Sequence, residues 1–92
     1  MRLLVTRTFA RAVKKLHRRQ KADLDEAVRA IVNDPGVDEA KIDDLDGVHV
    51  YKFHMANQLC LVAYRVLDED TVKLLMVGPH ENSYRDLKRV ES

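Results

Sequence analysis

The spacing of hydrophobic positions along the chain changes period once, from helical near the start to strand-like in the second half. Arg2-Leu3-Leu4-Val5-Thr6 is a short apolar run bounded by polar residues, and it predicts an opening strand. Thr8 is a candidate N-cap. Phe9, Val13 and Leu16 follow at i, i+4 and i+7, which places them on one face of a helix. A second helix is signalled by Asp23 with Glu26 three residues on, a capping-box spacing, and by Leu24, Val28 and Ile31 in the same periodicity. Asn33-Asp34-Pro35-Gly36 ends it. Too few residues lie between the two for a strand, so an antiparallel helical hairpin is expected.

An acidic connector, Val37 to Asp46, leads into three extended runs. Val48 to Met55 is rich in β-branched and aromatic residues, and Ala56-Asn57 can turn the chain into Gln58 to Leu67. Asp68-Glu69-Asp70 is a second turn, followed by Thr71 to Val77 and the break Gly78-Pro79. Strands joined by such short turns must be antiparallel neighbours, because a parallel link needs a crossover of about a dozen residues or more. Along the middle strand Cys60, Val62, Tyr64 and Val66 form the stripe expected to face the core, and Leu59, Leu61, Ala63 and Arg65 form the other. Asn82 or Ser83 can cap a final short helix with Tyr84 and Leu87 inward. The expected class is α+β, in the order β-α-α-β-β-β-α, as a single domain over residues 1–92.

Composition limits the function classes. The apolar share of 46% beside 34% charged residues suits a globular chain, and Cys60 is alone, so no internal disulfide is available and a reducing cytoplasm is the expected compartment. No apolar run of signal-peptide or membrane-spanning form is present. The net charge of +1 conceals a steep gradient. Residues 1–21 carry eight cations and no acid, residues 22–46 carry nine acids against Arg29 and Lys41, and residues 47–92 balance at six of each. The cations Arg7, Arg11, Lys14, Lys15, Arg18 and Arg19 form the back of the first helix and its continuation, a face suited to a polyanion such as RNA.

Four histidines without ligand spacing and one cysteine predict no metal site, and no phosphate loop, nucleophile elbow or helix-borne zinc pair occurs. Taken singly, Lys52 and Arg65 read as solvated charges, His54 as an exposed strand residue, His80 as a capping residue and Tyr84 as a core anchor. His17 and His49 have no partner in the pattern. Together, however, Lys52 and His54 share one face of a strand, while His80 and Tyr84 follow the last strand, so all four map near one end of the sheet.

These residues sit in a wider pattern. Thr8-Phe9 followed by Ala12-Val13-Lys14-Lys15-Leu16, then Asn33-Asp34-Pro35, Tyr51-Lys52-Phe53, Ala63-Tyr64-Arg65-Val66, and Val77-Gly78-Pro79-His80-Glu81-Asn82 with Tyr84-Arg85 resemble, in order and spacing, the RelE/ParE superfamily of toxins from bacterial type II toxin-antitoxin modules. The resemblance spans nearly the whole chain. It implies an N-terminal strand and helical hairpin packed on a twisted antiparallel sheet, with a short C-terminal helix. It also implies one of two activities, ribosome-dependent cleavage of mRNA in the RelE-like branch or poisoning of DNA gyrase in the ParE-like branch.

The histidine after the last strand favours the RelE-like branch. In that reading His80 is a general acid or base, helped by His54. Lys52, with Arg65 or Arg85, stabilises charge on the phosphate, and Tyr84 stacks on a base or orients the phosphate. RNA supplies its own nucleophile, so no cofactor is required. The implied partners are a cognate antitoxin, the ribosome and mRNA, with no membrane and with DNA only indirectly through an antitoxin complex. Leu61 departs from the pattern, since it stands where many RelE-like enzymes carry a phosphate-binding arginine. That departure keeps two alternatives open, a gyrase inhibitor and a catalytically degenerate member acting only through protein binding.

Overall fold

The computed structural model describes residues 2–34, 40–41 and 48–80. The order of elements is β1 (Arg2–Val5), α1 (Arg7–Lys14), α2 (Arg18–Asn33), β2 (Ala40–Lys41), β3 (Val48–Met55), β4 (Gln58–Asp68) and β5 (Thr71–Pro79). The expected Tyr84 helix and the Pro35-Gly36 stop lie outside the described residues.

β1 leads straight into α1, and Thr6 makes the junction. Its extended backbone (φ −80°, ψ 164°) ends the strand, its hydroxyl accepts from the Phe9 N–H at 3.0 Å, and the same hydroxyl donates to the Leu75 carbonyl. Thr6 therefore caps the helix in place of Thr8, which lies exposed within the first turn. α2 also begins earlier than the Asp23 spacing suggested. His17 is its cap, and the Gln20 carboxamide accepts from the His17 N–H at 2.8 Å. Asp23 is released for another task. From the middle of the helix its carboxylate accepts from the Ala56 N–H at 2.9 Å, tying α2 to the β3–β4 turn.

The five strands form one sheet in the order β1-β5-β4-β3-β2. β3, β4 and β5 make the expected antiparallel meander. The sheet is nevertheless mixed, because β1 runs parallel to β5, with Arg2 opposite Thr71 and Val5 opposite Leu74. The two helices serve as part of the long connection that parallel pairing requires. The acidic connector also contributes β2, a two-residue strand paired antiparallel with β3. Ala56 and Asn57, at φ 51° and 71°, form the left-handed two-residue loop that matches the twist of a hairpin.

α1 lies on β5 and α2 on β3. Phe9, Leu24 and Ile31 pack against Cys60, Val62 and Tyr64, with Val13, Leu16 and Val28 at the margin. The Cys60 stripe is thus the helix-facing core, except Val66, which is exposed. The opposite stripe differs from expectation. Leu61 and Ala63 are also fully buried, in a second cluster with Val48, Val50, Leu75 and Met76. β4 is the central strand and is covered on both faces, so its sequence reads as a continuous apolar run rather than an alternation.

Candidate active site

The register places the predicted residues rung by rung. Lys52 pairs with Leu61, which pairs with Gly78. Two rungs further, His54 pairs with Leu59, and His80 follows Pro79, the partner of Cys60 on the rung between. Because strand residues alternate between faces, Lys52, His54 and Leu59 lie on the face away from the helices, together with Leu61. Strand spacing puts the β3 and β5 backbones about 10 Å apart here, and Lys52 is about 7 Å along the strand from His54. Side chains of this length can converge on a phosphodiester laid across the sheet end. Lys52 and His80 are half-buried and His54 is exposed.

Arg65 is not brought to this group. It pairs with Val48 and Lys73, four rungs from Leu61 along β4, which is roughly 13 Å. The register sets Arg65 further along the sheet from Lys52 than His54 is. Leu61 occupies the floor between Lys52 and Gly78 and is fully buried, so the centre of the site is apolar. Tyr84 and Arg85 lie outside the described residues. His49 stacks on Tyr64, with ring centroids 5.2 Å apart, on the helix-facing side, and His17 caps α2. Among the described residues no group of three His, Cys, Asp or Glu converges as a metal site.

Sequence reasoning missed Asp23 as a contributor. Its bond to Ala56 fixes the turn two residues beyond His54. Two residues 33 apart in sequence leave no local signal for such a link, and Glu26 offered a competing explanation for Asp23.

On the helix side of the same sheet end, Arg11 and Lys15 of α1 border a cleft of about 470 Å³ that reaches Gly78 and Pro79. All six cations expected to meet RNA are exposed. Cys60 lines the cleft, and burial pushes its thiol above the ordinary cysteine range against a smaller opposing effect from the Met55 backbone. A thiol held protonated in this way is a poor nucleophile.

A helical pair over a sheet whose parallel N-terminal strand completes an antiparallel meander defines a class of small bacterial toxins. The chain belongs to the ParE-like toxin family of type II bacterial toxin-antitoxin systems, whose family model matches residues 3–88. In three dimensions it is similar to a free-state E. coli RelE toxin in which two arginines are replaced by alanine, with a TM-score of 0.73 at 16% identity, over 96% of this chain and 90% of that one. It is also similar to the isolated E. coli RelE toxin, with a TM-score of 0.68 at 19% identity over 97% of each chain. A chain of the intact E. coli RelBE toxin-antitoxin complex gives 0.69 at 19% identity, over 85% of this chain and 94% of that one. Among curated proteins none matches in sequence. Among the described residues, no helix is long and apolar enough to cross a membrane.

Proposed function

We propose that this toxin is a metal-independent endoribonuclease that cuts mRNA on the ribosome and is restrained by a cognate antitoxin. The observation that supports the reading is the register, in which Lys52 and His54 lie two rungs apart near one end of the sheet and His80 follows Pro79, the partner of Cys60 on the rung between them. In the reaction the ribose 2′-oxygen attacks the adjacent phosphorus and the bond to the 5′-oxygen breaks, leaving a cyclic phosphate. One imidazole accepts the 2′-hydroxyl proton and the other supplies a proton to the departing oxygen. Lys52 stabilises the charge that builds on the phosphate. Acid-base help of this kind contributes about 10² to 10⁴ in rate, so most of the remaining acceleration must come from holding the mRNA in line. The exposed cations of α1 and the start of α2 supply anchorage to ribosomal RNA through phosphate contacts that carry little sequence preference. The antitoxin is inferred from the family and from the toxin-antitoxin complex among the structural neighbours.

Primer extension on mRNA after induction tests the reading, with His80→Ala as the comparison. Cleavage stops present with the natural chain and absent with the variant are expected. If programmed ribosomes leave mRNA intact while His80→Ala still arrests growth, the nuclease reading is wrong. A gyrase poison is the second reading, favoured by the ParE-like family match and by Leu61 at the centre of the site. Accumulation of cleaved DNA in a purified gyrase assay would establish it.

A further inference from the structure

β1 ends the sheet, with β5 as its one neighbour among the described residues. Leu3, Leu4 and Val5 are 43%, 42% and 52% exposed there, an apolar run on a strand edge where soluble proteins usually place charge. α1, the element that follows β1, turns back to pack on β5. The hydrogen bonds of β1 alternate. The Arg2 N–H donates to the Asp70 carbonyl at 2.6 Å and the Thr6 N–H to the Leu74 carbonyl at 3.1 Å, so the N–H and C=O groups of Leu3 and Val5 point away from β5. The two ends of the strand differ in charge. Arg7 is exposed just past one end, and the Asp68-Glu69-Asp70 turn lies with Arg2 at the other.

We propose that β1 pairs antiparallel with β1 of a second copy of the chain, joining two sheets into one across a two-fold axis. Geometry and side-chain matching fix the register. An axis normal to the sheet pairs residues that share a face, so its centre falls on a residue and not between two. Centring on Leu4 sets Leu4 against its copy and Leu3 against Val5, so every exposed apolar side chain of β1 meets another. Centring on Leu3 would set Leu4 against Arg2 instead. In the Leu4 register the outward backbone groups of Leu3 and Val5 meet as hydrogen-bonded pairs on either side of the axis. Leu4 and its copy form the non-bonded pair, where side chains come closest. The pairing also carries Arg7 of each copy past Arg2 of the other, about 10 Å, or two strand spacings, from the Asp68-Glu69-Asp70 turn. A guanidinium and a carboxylate can close that gap. Both copies of α1 and α2 stay on one side of the joined sheet, which doubles the cationic face offered to a polyanion. An interface of so few residues is small, so the association is weak and depends on concentration.

Sedimentation velocity of the full chain over roughly 1 to 200 µM reads the association, and a reversible monomer–dimer equilibrium within that range is expected. Amide hydrogen exchange at the two ends of the range locates it. At high concentration the Leu3 and Val5 amides should slow more than those of Arg2 and Thr6, which already bond to β5. Leu4→Lys sets two cations together at the axis from an exposed position and should weaken the dimer at least about tenfold. Arg7→Glu and Glu69→Lys should each weaken it about threefold, and the double variant should restore it. These exposed positions carry the test should Leu4→Lys not fold. A monomer throughout the range, a dimer indifferent to Leu4→Lys in a folded chain, or a double charge reversal that weakens the dimer further would overturn the proposal. Leu3 and Val5 amides protected by a co-expressed antitoxin while the chain alone stays monomeric would also overturn it, since the edge then belongs to that partner.

Discussion

Replacing Leu61 by arginine tests the relation between stability and chemistry at the site. The position is where many RelE-like enzymes place a phosphate-binding arginine, so a reading by alignment expects Leu61→Arg to improve cleavage. The structure argues the reverse. Leu61 is fully buried in a cluster with Val50, Ala63 and Met76, and its register neighbours are Lys52 and Gly78. Removing the leucine forfeits about 1.5–3 kcal/mol of burial. A guanidinium in its place adds a buried charge with a cation, Lys52, on the adjacent strand, a further cost of at least about 1–3 kcal/mol. The sum is at least about 2.5 kcal/mol. A chain of this length has about 5–14 kcal/mol of stability, and each kcal/mol moves Tm by about 4–8 °C, so a fall of about 10 °C or more is expected. Leu61→Met, close in volume, should cost less than about 1.5 kcal/mol. Thermal unfolding by circular dichroism reads both variants. An arginine variant that melts with the natural chain and cuts RNA faster would refute the reasoning, since the guanidinium would then have reached solvent and substrate from a position counted here as core.

Other expectations are independent of that one. His80→Ala should lower ribosome-dependent cleavage by about 10² to 10⁴, measured at saturating ribosomes, with Tm changed by no more than the small shift usual for a half-buried residue. Ala56→Asn should raise stability by about 0.5–1 kcal/mol in urea unfolding, because alanine carries a steric penalty at φ 51° that asparagine largely avoids. Thr6→Ala removes the α1 cap and the link to Leu75 together and should cost about 1–2 kcal/mol in the same assay. The Asp68 carboxyl is held below its ordinary 3.8, first by the Asp70 N–H in the turn and then by the Thr71 hydroxyl. A depressed carboxylate contributes stability above its unfolded value and loses it as pH falls through the folded one. Asp68→Asn should therefore flatten the part of the acid-unfolding curve below about pH 3.8, and an unchanged curve would contradict this assignment.

The parts of the fold that were legible in the sequence are those governed by local periodicity. The stripes Phe9-Val13-Leu16 and Leu24-Val28-Ile31 lie on the core as their spacing required, and the β3–β4 hairpin turns at Ala56-Asn57. What failed was decided by contacts distant in sequence. Thr6 outcompetes Thr8 as a cap because β1 pairs with β5, which fixes the strand end one residue before the helix. Asp23 has the spacing of a cap but is satisfied across 33 residues by Ala56. The candidate site divides the same way. Lys52 and His54 share a face by strand alternation, which local sequence reveals, whereas the distance of Arg65 from them follows from how many rungs separate it from the sheet end.

β4 links these observations. A sheet with one wet face could have carried a cationic side chain at position 61, but β4 is covered on both sides and takes leucine there. In the proposed nuclease, positive charge for the phosphate would then come from the neighbouring strand and from the helices, which is where Lys52 and the α1 cations stand. Both sources meet β5 at the same end, Lys52 along its rung through Leu61 to Gly78 and α1 through the cleft at Gly78-Pro79.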